Sequence, residues 1–249
     1  MNTNRKTTIS EGGKLANTDR QAATTKAWSR KIALAAGLLY LLTFVSIPTL
    51  ALYGQVKSAN YIIGAGPDTA AMLGAVLEII VALAGIGTAV VLFPMLKKQS
   101  EGAALGLVAS RVLEASAIFT GVAFLLSIVT LRQAGAGADA LVTSHALATL
   151  YDRIFLLSQS FLPAVNDLLL GFLLYKSRLV PRALSLIGIV GGPVLIAGYL
   201  AVIFGLVGQH AALAALSALP VFLFELSLGI WLTVKGFNPS ATNELLSTA

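Results

Sequence analysis

The sequence predicts an all-α protein, a polytopic transmembrane helix bundle of six spans with N- and C-termini cytoplasmic. Three observations carry this. Charged residues are 11% of the chain and apolar ones 57%, with a mean hydropathy of +0.85. A soluble domain has about 25% charged residues, so a soluble surface could not be covered here. Several apolar runs exceed the ~18 residues needed to cross a bilayer as a helix. The Lys and Arg are also sorted: thirteen of the 17 lie in the N-terminal region, in alternate turns or at Lys235. Such a bias holds basic segments in the cytoplasm and requires an even number of spans.

Residues 1–29, rich in Thr, Asn, Lys and Ala and lacking an apolar stripe, read as a disordered cytoplasmic tail. The apolar run begins too late and runs too long for a secretory signal. Arg30 and Lys31 then precede a first span over 32–53. An outer loop containing Lys57 and the turn Pro67-Asp68 leads to a second span, 69–96, which returns at Lys97 and Lys98. The third, 103–131, emerges at Arg132 into a loop of small and polar residues. The fourth, 146–175, ends in the basic turn of Lys176, Arg178 and Arg182.

The fifth span, 183–207, holds Gly188, Gly191, Gly192 and Pro193, where a kink or loosened turn is expected. A turn at Gly208-Gln209-His210 leads to the sixth, 213–234, which stops at Lys235. The transmembrane domain is thus 30–237, followed by a short polar cytoplasmic tail over 238–249. Lys97, Lys98, Lys176, Arg178, Arg182 and Lys235 serve as cytoplasmic anchors, and the 176–182 turn also suits anionic lipid head groups. Trp28 and Trp231 are expected at the inner interface and Tyr53 at the outer one.

Several chemistries are disfavoured. The chain has no Cys, which removes disulfides, thiolate metal sites and Cys nucleophiles. Basic residues sit where topology is set, without the aromatic interleaving of a nucleic-acid surface, so no nucleic-acid partner is expected. His145 and His210 fall at outer loops, far from the mid-membrane acids, and neither a metal nor a cofactor is expected. No Ser–His pair shares a depth, and Ser110, Ser116, Ser127 and Ser158 are expected to bond their own helix backbones. Gly64/Gly66, Gly85/Gly87 and Gly135/Gly137 lack the context and the lysine of a phosphate loop. The expectation is that the chain is not an enzyme.

What remains is charge inside the membrane, which costs ~2.5–3.5 kcal/mol per residue on insertion scales. At ~1.5 Å per residue from the inner end of each span, Arg111 lies ~12 Å deep, Glu114 ~16 Å, Asp167 ~14 Å and Glu225 ~15 Å. These four form one polar layer near the middle of the ~30 Å core. Glu78, Asp152 and Arg153 fall ~28–35 Å from the inner end and make an outer polar group. Arg111 and Glu114, three apart, share a helix face.

Asp167 and Glu225 sit in matching phrases, NDLLLGFLLYK and FELSLGIWLTVK, each with a Gly four residues on and a Pro about one turn before. Gly171 and Gly229 would let another helix approach beside each acid. Five acids against two arginines leave an excess of three negatives if all ionise, which low dielectric disfavours, so one or more carboxyls are expected to be protonated.

The phrases LFPMLKKQSEGAALGLVASRVLEA, LLYKSRLVPRALSLIG and ELSLGIWLTVKGFNPSA resemble a bacterial membrane-protein family known as domain of unknown function 4386. The resemblance covers about 32–240 and implies six spans in an inner membrane, without an activity, ligand or catalytic residue. The N-terminal tail is longer than that family's pattern.

The function expected is therefore that of a multi-pass integral protein of a bacterial inner or plasma membrane, whose polar layer binds a small molecule or lipid. The alternatives are a proton-coupled transporter using the buried carboxylates and, least favoured, an intramembrane enzyme. Six spans without a duplicated half leave room for a homo-oligomer. A dry, packed interior around Arg111 would make the layer purely structural. A cavity reaching from it would favour ligand binding or transport, and a sideways opening would favour lipid.

Overall fold

A computed structural model describes residues 3–247, and for 3–19, 21 and 22 the backbone alone. Six helical stretches are long and apolar enough to cross a membrane: 23–52, 69–96, 101–133, 137–177, 182–203 and 212–234. They are built from α1 (Thr3–Thr43), α2 (Thr49–Leu52), α3 (Thr69–Leu96), α4 (Glu101–Gln133), α5 (Leu141–Leu156), α6 (Leu162–Ser177), α7 (Arg182–Ile203) and α8 (Ala212–Val234). A last helix, α9 (Pro239–Ser247), follows. No strand occurs among the described residues.

The spans form a closed ring. Each packs on its chain neighbours, and α1 packs on α8, so the first and last spans are adjacent. Their basic ends are tied: Arg30 donates to the carbonyls of Leu232 at 2.8 Å and Thr233 at 2.6 Å. A cation capping the final carbonyls of α8 satisfies acceptors that the helix leaves open.

Small residues set how closely the ring closes. A Cβ built on Gly188 would lie 2.8 Å from the Phe224 ring, and one on Gly192 2.7 Å from the Ala164 carbonyl. α7 therefore seats against α8 and α6 through glycine. Gly171 and Gly229 do the same for α7 and α1, as their place beside the two acids predicted.

Two helix breaks fall beside prolines. A 3-10 turn, Phe44–Ser46, interrupts the first span one turn before Pro48, and a π-helical turn, Leu157–Phe161, interrupts the fourth just before Pro163. A proline ring has no N–H and crowds the carbonyl four residues back, here Phe44 and Gln159, so the helix rewinds locally. The kink expected in the fifth span is not such a break, since α7 continues through Pro193 and stops at Ile203 before Gly205, whose φ is +71°.

The tails also differ from expectation. α1 continues N-terminally of the span, and residues 23–29, expected in a disordered tail, are helical, with Ser29 buried. Ala22, Ala23, Lys26 and Ala27 are good helix formers placed directly before the apolar run. The rest of that tail expectation falls mainly on residues without described side chains. The polar tail after 238 is the helix α9. Asn238 accepts from the Ser240 N–H at 3.2 Å, Pro239 opens the helix, and Ala241 and Leu245 are buried.

The interior is uneven along its length. On the side of the termini, Leu92, Met95, Leu96, Leu107, Leu173 and Leu232 are fully buried in one continuous core. Toward the opposite end, a smaller core of Tyr53, Leu125, Ile128 and Tyr151 closes the bundle under the loops. There Arg132 donates to Asp68 at 2.9 Å and to the Gly66 carbonyl, and its guanidinium lies 4.5 Å from the Tyr61 ring.

Hydrogen bonds from Tyr61 and then Gln133, with the charge of Arg132 beside them, hold the Asp68 carboxyl below its usual range. A depressed folded value gives stability that is present above the ordinary carboxylate range and is lost as pH falls through the folded one. The protection of amides at residues 60–68, taken as exchange rates corrected for their intrinsic pH dependence, is therefore expected to fall between about pH 5 and about pH 3, modestly because the carboxyl is only partly buried. An Asp68→Asn variant should show a flat profile, and an unchanged acid response in it would refute the assignment.

Candidate functional site

Arg111 sits on α4, inside a stretch long and apolar enough to cross a membrane, and is 3% exposed. Its Nη1 donates to Glu114 Oε2 at 2.9 Å and its Nη2 to Glu225 Oε1 at 2.8 Å and to the Tyr40 hydroxyl at 3.3 Å. Asn166 Nδ2 donates to the same Glu114 oxygen at 2.7 Å. Four spans thus meet at one depth through α1, α4, α6 and α8. The helical spacing of Arg111 and Glu114 makes the first pair local, while the others tie the ring across its middle.

Asp167 belongs to the layer in a different way. It is fully buried and within electrostatic reach of Glu225, Arg111 and Glu114, but neither carboxyl oxygen has a hydrogen-bond partner among the described residues. Adjacent helical residues point about 100° apart, so Asn166, not Asp167, makes the bond from α6 to α4. The Ser110 hydroxyl, Arg111 Nε and Asn166 Oδ1 are also buried without partners among the described residues. Tyr40 and Asn166 were missed by a search confined to charges. The same depth arithmetic applied to hydroxyl and amide groups finds both.

A cavity of about 180 Å³ opens on this layer from the side away from the termini. Arg111, Glu114 and Glu225 form its polar end, and Val81, Ile118, Leu195 and Val221 are among its apolar walls. Both broken helices line it, through Phe44, Ser46 and Ile47 on one side and Gln159 and Pro163 on the other. Irregular backbone at membrane depth is tolerated where it lines a cavity or is buried in protein. Glu225 is the more open of the two acids paired to Arg111, its side chain 16% exposed against 10% for Glu114. Between α1 and α8 the wall is an edge-to-face pair, Phe44 and Phe222, with ring centroids 5.2 Å apart. Phe222 and Ile47 are exposed on the lipid-facing surface, so this wall separates the cavity from the acyl region.

The outer polar group does not assemble as the sequence suggested. Glu78 is buried and receives hydroxyls from Tyr151 at 2.8 Å and Tyr53 at 3.2 Å. Asp152 pairs with Lys57, whose ammonium lies 5.3 Å from the Tyr151 ring. Arg153 is exposed and joins neither, because on α5 it points away from the face that carries Tyr151 inward. Tyr53, expected at the interface, is inside the bundle, since its hydroxyl serves the buried Glu78.

Ser116 and Ser127 bond backbone carbonyls of their own helix at 2.8 Å, as expected of serines in a span, whereas Ser110 does not. His145 and His210 are both exposed. No group of three or more His, Cys, Asp or Glu among the described residues is placed to hold a metal ion. The anchors Lys97, Lys98, Lys176, Arg178, Arg182 and Lys235 are all exposed at the end that carries the termini.

Over residues 35–236 the chain matches the family described as a domain of unknown function, DUF4386. Comparison with curated proteins and with solved structures gives no match.

Proposed function

Since this chain belongs to the DUF4386 family, whose description carries no activity, we propose a role from the site alone: an integral membrane protein that binds a small molecule or lipid in the cavity above Arg111. The observation that carries this is the asymmetry around the polar layer. One side is packed apolar core and the other is a hollow that exposes part of Glu225. A ligand with an apolar body and a polar or cationic head suits that shape, its body against Val81, Ile118 and Val221 and its head at Glu225. The sorting of Lys and Arg supports a topology with both termini in the cytoplasm, and the membrane proposed is a bacterial inner or plasma membrane.

The experiment is mass spectrometry of molecules that co-purify with the wild type and with Ala218→Phe, which fills the cavity without removing a charge. A species present in the wild type and lost from a folded Ala218→Phe protein is expected. Identical co-purifying species in both would overturn the reading. Arg111→Ala serves as a second arm, removing the polar end instead of the space.

A second reading, proton-coupled transport of a small solute, draws on Asp167, a buried carboxyl whose oxygens have no partner among the described residues. Such groups in membranes carry protons in pumps and transporters. Uptake into vesicles driven by a pH gradient should disappear in Asp167→Asn and Glu225→Gln, and uptake surviving both would remove this reading.

A further inference from the structure

The chain holds a second hollow, of about 520 Å³, where the α6–α7 turn meets the end of α8. We propose that it is a phosphate site for the head group of an anionic phospholipid. Arg178, Arg182 and Lys235 line it, and no acid is among its lining residues. None of the three cations forms an ion pair among the described residues, and Arg182 instead stacks 5.0 Å from the Tyr175 ring.

Three further features fit an anion. Trp231 lines the hollow, and its indole N–H is buried without an acceptor among the described residues. α7 starts in the hollow behind Pro181 with no side chain capping it, and while the N–H groups of Leu184 and Ser185 donate to the Pro181 carbonyl, those of Arg182 and Ala183 remain available. Arg178 holds a φ of +56°, alone in positive φ among the described non-glycine residues. That left-handed residue ends α6, its N–H donating to the Leu174 carbonyl at 3.0 Å, and the turn it makes brings Arg178 to the rim shared with Arg182.

Membrane topology explains why basic residues stand at this end, but not why three of them rim a hollow with an unsatisfied indole. Lys97 and Lys98 meet the topological need at the neighbouring turn, outside the hollow. The floor separates two sources of phosphate. Leu179, Val180 and Phe237 are buried apolar side chains there, matching the glycerol and acyl portion of a lipid better than free phosphate. The cations also flank the end of one span and the start of another, the level at which head groups lie.

The test uses the full chain purified in detergent, titrated with phosphatidylglycerol, phosphatidylcholine or inorganic phosphate and read by native mass spectrometry. Phosphatidylglycerol is expected to bind preferentially. The combined Arg178→Gln, Arg182→Gln, Lys235→Gln variant should weaken it by roughly 100-fold, about fivefold for each cation removed. The Lys97→Gln, Lys98→Gln variant should leave it nearly unchanged. Equal weakening in both variants, or none in the first, would overturn the proposal. Displacement of the lipid by millimolar phosphate would keep the anion site and assign it to the free ion. If the triple variant does not fold, Trp231→Phe decides: severalfold weaker phosphatidylglycerol binding supports the site, and unchanged binding refutes it.

Discussion

Replacing Arg111 with alanine is expected to lower the stability of the bundle by about 3–5 kcal/mol, the usual cost of removing one partner from a buried ion pair. The reason is what stays behind. Glu114 and Glu225 each lose a charged donor, and Glu114 keeps only Asn166 as a hydrogen-bond partner among the described residues. Neither acid can turn to bulk water, since their side chains are 10% and 16% exposed. The check is thermal unfolding in detergent. Adding Glu114→Gln and Glu225→Gln to Arg111→Ala should recover much of the loss, because the amides bury no uncompensated charge. If Arg111→Ala is no worse than Val112→Ala, a lipid-facing change on the same helix, the layer does not hold the ring together.

Gly37→Ala is expected to be similarly damaging, through sterics alone. A Cβ at Gly37 would lie 2.4 Å from Thr233 Oγ1, 2.7 Å from the Thr233 backbone nitrogen and 2.8 Å from the Gly229 carbonyl oxygen. The hydroxyl can rotate away, but the two backbone atoms can move only by separating α1 from α8. Overpacking that forces backbone shifts costs about 1–3 kcal/mol or more. Gly102→Ala is the matched control, since nothing lies within 4 Å of its new methyl group. That change should stabilise α4 by up to ~1 kcal/mol. Equal melting temperatures for the two variants would mean that the first and last spans are not in tight contact.

Much of this architecture was legible in the sequence because bilayer thickness and backbone hydrogen bonding leave few choices. Span 69–96 agrees with α3 at both ends, and the sixth begins one residue earlier than read. Boundaries slipped where apolar residues continue into loops, as at Leu141 and Val142, which are helical in α5. The layer was legible too, because depth along a helix is simple arithmetic and Arg111, Glu114 and Glu225 share it. Its bonding was not. Asp167 and Asn166 are consecutive in sequence, and helix rotation about the span axis, which one chain does not disclose, decides which faces α4. The cavity was hidden for a related reason: Pro48, Pro94, Pro163, Pro193 and Pro220 look alike in sequence, yet helical structure breaks beside only two of them.

The ring arrangement has a consequence for biosynthesis. Spans leave the ribosome in chain order, yet the first must wait for the last before that seam can seal. Until α6 emerges with Asp167, Arg111 has one carboxylate at hand, Glu114, three residues away on its own helix, and pairing with it offsets part of the cost of taking α4 into lipid before Glu225 exists. The N-terminal span meanwhile presents Gly37 and Tyr40 to lipid or to an insertase. Stalling translation just short of residue 225 should therefore leave an intermediate that is inserted but open along one edge.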